Sequence, residues 1–171
     1  MGLHPELARL VQKLKPGEPA DQAVLAAAGK ELEIEWPADY RALMIELGAA
    51  EGFVGENYVR FTPCTQLVEI NHLAQRPPKL DLPVPARPAW MAKYKWGNDE
   101  PEEEFFPGLV LIGSNGGGEN LAFDRKTGAV VLVPAIGNIE DAILLGANLT
   151  EALQSFERDD MFDDPVHPFA K

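Results

Sequence analysis

"LVLIGSNGGGENLAFDRKTGAVVLVP", Leu109 to Pro134, holds three apolar runs parted by two polar breaks, and its three consecutive glycines admit two readings. A phosphate cradle of the P-loop kind needs G-x-x-x-x-G-K-[ST], with a lysine on the phosphates and a hydroxyl for magnesium. Here Glu119 and Asn120 stand at that end, and the next lysine is Lys126. The dinucleotide fingerprint G-x-G-x-x-G fails too, because after Gly116 and Gly118 its third glycine position is Leu121. Both motifs also open a helix whose N-terminus faces the anion, whereas "NLAFD" alternates as a strand does. The glycines therefore read as the bend of a hairpin, reversing the chain through backbone angles that glycine alone reaches cheaply. "DRKTG" makes a second turn, with Gly128 at the position needing positive φ. "AVVLVPA" is a third strand. The stretch predicts an antiparallel meander of three strands, too apolar to be uncovered on both faces.

Helices are expected on either side of it. Leu7, Leu10, Val11 and Leu14 recur at helical spacing over residues 5–15, and Pro16-Gly17 ends the run. "PADQAVLAAAGKEL" predicts a second helix, with Asp21 as N-cap and Gly29 as its stop. "EIEWPADYRALMIELG" predicts a third, with Pro37 at the first helical position, where a missing N–H costs nothing. Tyr40, Leu43, Met44 and Leu47 share one of its faces, and Gly48 fits its C-terminal cap. "NYVRFTPC" alternates as a strand up to Pro63. "TQLVEINHLAQ" carries Leu67, Ile70 and Leu73 at helical spacing. Beyond the meander, Ile139 to Leu145 reads as helical, and a final helix starts at Asn148. Glu151 completes a capping box there, and Leu149, Leu153 and Phe156 form the buried stripe.

The 171 residues suit one domain, spanning 1–171. From Pro77 to Pro107 the chain becomes rich in proline, aromatic and acidic residues, which excludes a regular helix or central strand across most of it. It reads as a long insertion. Twenty-seven acidic residues against 15 basic ones give a net charge of −12. Nothing basic is on hand to neutralise a nucleic-acid backbone, so no nucleic-acid partner is expected. Cys64 is the only cysteine, which rules out an internal disulfide and zinc-knuckle spacing. "MGLHPELARLVQKLK" reads as an amphipathic helix and not a signal peptide. Glu6 stands where a myristoylation signal needs Ser or Thr, and no apolar run approaches a membrane span. A cytoplasmic chain with no membrane partner is expected.

No catalytic constellation emerges. Ser114 lacks the G-x-S-x-G frame, and Ser155 falls among helix-surface residues. Cys64 reads as a small buried apolar group. His4, His72 and His167 are far apart, with no ligand spacing. Catalytic, cofactor-binding and metal residues are therefore expected to be none. Carboxylates cluster at Asp99, Glu100, Glu102, Glu103 and Glu104, and again at Asp159, Asp160, Asp163 and Asp164. Such runs are usually solvated and lack the order of a calcium loop, while a glycosidase-like pair stays open as a minor alternative. Trp90, Trp96, Phe105 and Phe106 interleave with the first run. They read either as a satellite core or, with the charges, as a docking patch for a basic protein. On the second reading Trp96, Asp99, Glu100, Glu102, Glu103, Glu104 and Phe105 are the candidate partner-binding residues.

Taken in order, Trp36-Pro37-x-x-Tyr40, the helix end at Leu47-Gly48, the segment Gly113-Ser114-Asn115-Gly116-Gly117-Gly118-Glu119 between strands, and "ANLTEALQSF" form a pattern. Across about residues 30–156 it resembles the SUKH superfamily. That superfamily unites a fungal cell-wall-synthesis regulator with many bacterial immunity proteins that neutralise polymorphic toxins. The resemblance implies an α+β fold, a twisted antiparallel sheet with helices packed on one side. It implies scaffold roles for Trp36, Pro37, Tyr40 and Gly48, and a central hairpin at Gly113, Gly116, Gly117 and Gly118. Residues 1–30 are then a helical extension, 77–107 an insertion longer than the family's usual link, and 159–171 a loose acidic tail. "LGAAEGFVG" replaces the asparagine-glycine turn often found after the family's first helix. The implied function is a non-enzymatic, intracellular protein-binding module of the immunity type, needing no cofactor and covering a toxin, one of basic charge suiting it best, by occlusion. A regulatory or scaffold role without a toxin is the alternative, and a carboxylate-based hydrolase the third.

Overall fold

The computed structural model describes residues 2–75, 106–135 and 138–170. Six strands form one antiparallel sheet whose spatial order is the chain order: β1 (Glu51–Val54), β2 (Asn57–Phe61), β3 (Leu109–Ser114), β4 (Glu119–Asp124), β5 (Val130–Pro134) and β6 (Ile143–Gly146). Helices α1 (Pro5–Val11), α2 (Gln22–Glu31) and α3 (Ala38–Glu46) precede it, α4 (Leu67–Gln75) follows β2, and α5 (Leu149–Arg158) closes it. This is the expected α+β arrangement. The meander is there, with Leu111 opposite Ala122 and Leu121 opposite Leu132.

The principal core lies between the helices and one face of the sheet. Leu7, Leu25, Tyr40, Leu43, Met44, Leu67, Leu153 and Phe156 meet Val59, Phe61, Ile112, Leu121, Phe123 and Leu132 there. Tyr40 sits at its centre, its ring 5.2 Å from those of Trp36 and Phe123 and 6.4 Å from that of Phe61. The Trp36 indole N–H donates to Leu25 O at 2.7 Å, joining α2 to the entrance of α3. Pro37 is the residue just before α3 and not its first turn, with Ala38 opening the helix. Gly48 follows α3 with φ +64° and donates to Met44 O at 3.0 Å. A side chain there would need a left-handed backbone and would run into Glu18 O, so only glycine lets this helix stop here.

Two further expectations need correction. Gly29 does not end α2, which runs on to Glu31; it is a spacer, since a Cβ on it would lie 2.7 Å from Trp36 Nε1. Residues 139–145 are not helical beyond a 3-10 turn at Ile139–Asp141. Ile143 and Leu145 pack into the principal core while Leu144 packs on the opposite face, so the run is the strand β6. A short apolar stretch buried on both sides has no periodicity to separate strand from helix. In addition, "EGFV", to which the sequence pattern assigns no element, is strand β1, its alternation blurred by Gly52.

Both sheet edges are partly covered. Lys15 bridges Glu51 through reciprocal backbone bonds of 2.8 and 3.0 Å. At the far edge Leu144 N–H donates to Val166 O at 2.8 Å, and Phe169 packs into a second, smaller core. Val166 and Phe169 of the C-terminal segment thus make specific contacts beside β6.

Candidate functional site

The glycine loop between β3 and β4 uses its own polar groups. Asn115 Oδ1 accepts from Gly117 N at 2.9 Å and Glu119 N at 3.2 Å, and Asn115 Nδ2 donates to Glu119 Oε2 at 2.7 Å. Asn115 N–H donates to Glu119 O, and Gly118 O accepts from Ala135. These amides are committed to the turn and flanked by a carboxylate, which suits a hairpin and not an anion cradle. Gly113 sits at a β-bulge where β2 crosses closely, and Gly118 takes φ +108° at the loop's exit. Gly116, at φ +73°, lies against the Tyr58 ring, and a Cβ on it would stand 2.8 Å from Tyr58 Cδ1.

That contact leads to the sheet's second face, which has two halves. On β3 to β6, Leu109, Leu111, Ala122, Val131, Val133 and Ala142 are buried with Phe106 in the smaller core. On β1 and β2 the same face is left open by the described residues. Strand alternation sends Val54, Val59 and Phe61 into the principal core and turns Phe53, Tyr58 and Arg60 away from it. Phe53 is 57% exposed and meets Tyr58 edge-on, their centroids 5.5 Å apart. The Tyr58 hydroxyl donates to Glu51 Oε2 at 3.0 Å; burial and that carboxylate both raise its pKa, so the phenol stays protonated. Arg60 Nε lies 3.9 Å from Glu51 Oε2. Beside this pair, Arg60, Thr62, Gln66, Ile70, Ser114 and Asn120 line an open cleft of about 220 Å³.

The cleft exists because β2 and β3 part company. They pair only at Arg60–Ser114 and Phe61–Gly113, with one further bond from Thr62 N to Ile112 O. Beyond that point α4 fills the gap with Asn71, 2% exposed. Asn71 Oδ1 accepts from Leu111 N–H, and its Nδ2 donates to Leu111 O and Leu67 O, each at 2.8 Å. The buried stripe of α4 therefore runs Leu67–Asn71, and Leu73, expected inside, is 56% exposed. The signal was a polar residue four positions after Leu67 on a helix whose other polar residues fall elsewhere.

Ser155 is not on the surface: it is buried and donates to Leu145 O at 3.0 Å. Tyr40 is wholly buried, its hydroxyl without a hydrogen-bond partner among the described residues, and burial pushes its pKa far above the ordinary phenol value. Among the described residues no three His, Cys, Asp or Glu side chains converge as metal ligands, and no helix is long and apolar enough to cross a membrane. Trp36 and Tyr40 meet in the principal core while Pro37 is half-buried near Gly128, and Trp96, Asp99, Glu100, Glu102, Glu103, Glu104 and Phe105 lie outside the described residues. Phe53 and Asn71 fall outside the candidate residues that the sequence offers. No curated protein matches the chain. The model of the SMI1 / KNR4 family (SUKH-1) matches residues 19–155, most of the length, and the chain belongs to that family.

Proposed function

We propose that this chain is a non-enzymatic, intracellular protein-binding module of the immunity type, which neutralises a cognate toxin domain by covering its active surface. Membership of the SUKH-1 family across residues 19–155 carries the reading. The net charge of −12 adds a physical preference, because an acidic surface draws in a basic partner and speeds its arrival. Trp96, Asp99, Glu100, Glu102, Glu103, Glu104 and Phe105 are proposed contacts on sequence grounds, as charges interleaved with aromatic anchors.

The test is co-expression with a toxic domain encoded next to its gene, scored by cell survival. Cells should survive with this chain and die without it. Charge reversal at Glu102, Glu103 and Glu104 together should weaken protection. Death despite abundant folded chain would contradict the immunity reading and leave a regulatory or scaffold role of the same family.

A further inference from the structure

We propose that the open half of the sheet is a docking surface for a protein segment that lays an arginine or lysine side chain over the Phe53–Tyr58 ring pair. The proposal rests on the protein-binding reading above. Tyr58 is held from three sides: Phe53 meets its ring with planes 72° apart, Gly116 lies against it, and Glu51 Oε2 accepts from its hydroxyl. Phe53 therefore stands on a fixed base with more than half its surface in water. A single exposed aromatic is ordinary. Here, however, it joins a sheet face that the smaller core leaves uncovered and a cleft that continues past Arg60 to Ser114 and Asn120.

Charge decides the occupant. Glu51 on β1 accepts from the Tyr58 hydroxyl, the exposed Glu56 lies in the β1–β2 turn two residues before Tyr58, and the cation on these two strands is Arg60, at the outer limit of an ion pair with Glu51. A guanidinium or ammonium set against the rings gains from their quadrupole and from an adjacent carboxylate. An acidic segment would meet Glu51 and Glu56 unfavourably. A nucleic-acid strand would bring phosphates to the same carboxylates.

The test is a ¹⁵N-edited NMR titration of the full chain with the capped peptide GRLRG, its counterpart GELEG, and a thymidine octanucleotide. Arginine peptide should shift the amides of Glu51, Phe53 and Tyr58, and the other two probes should not. Phe53→Ser and Glu51→Gln should each weaken that binding about three- to fivefold, the loss expected of an exposed cation–π or charge contact. Both positions face solvent, so thermal melts matching the parent would show the fold intact. Shifts spread over other acidic sites and unchanged in both variants would overturn the proposal, as would equal shifts with GELEG or the octanucleotide, or none at all. No toxin enters this titration. A chain that fails to protect cells can still pass it, and a protecting chain can fail it.

Discussion

At Asn71 a side-chain amide stands in for a missing strand residue, accepting from and donating to Leu111 as a neighbouring backbone would. Asn71→Leu keeps the volume but orphans a buried N–H and a buried carbonyl, so it should cost about 3 kcal/mol. Chemical denaturation would read this as a lower midpoint at unchanged slope; an unaltered midpoint would remove Asn71 from the account of the cleft. Tyr40 is the opposite case. Its hydroxyl is buried with nothing to bond among the described residues, so Tyr40→Phe should leave stability equal or raise it by about 1 kcal/mol. A loss instead would reveal a partner for the hydroxyl. At this scale the sequence was legible wherever backbone geometry demands one residue type. Gly48 as a cap and Asp21 as an N-cap, accepting from Ala23 and Val24, were both readable. Asn71 was not, because a polar residue on a helix reads as solvated until the strand it bonds is in view.

Among elements, α1 and α5 are tied by Arg9, which donates to both Glu157 oxygens at 2.6 and 2.8 Å and to both Glu6 oxygens. Arg9 holds the Glu6 carboxyl down to about 2, with help from Gln154, and lowers Glu157 as well. A carboxyl depressed in the folded state stabilises fully above its unfolded value near 4.5 and loses that contribution as pH falls toward 2. Urea midpoints should therefore fall between pH 5 and 2, and fall less steeply in Arg9→Met. Parallel profiles would show that the tie contributes nothing in solution, as many exposed ion pairs do. The strong elements were readable from periodicity: α3, the meander and α5. Asn148 accepts from Glu151 N as the capping box requires, while the Glu151 carboxylate reaches Ala147 N, one residue earlier than expected. The short strands β1 and β6 were not readable: four residues carry almost no period, Gly52 blurs β1, and β6 packs on both of its faces. The open half-face was hidden for the same reason. "NYVRF" shows alternation, but only the sheet reveals which side the helices cover.

For the whole molecule, the proposed function has this SUKH-1 chain act by contact alone and make no bond. An acidic binder of a basic surface should lose affinity as salt rises toward physiological strength, where screening sets in within about 8 Å. Salt-independent binding would remove charge from the account while leaving contact. The direct measurement is a titration of the toxin domain's activity with the purified chain. The account predicts a linear fall to zero at a fixed stoichiometric ratio, with activity recovered when the two are separated. Inactivation by far less than stoichiometric chain, persisting after separation, would mean catalysis and would contradict it.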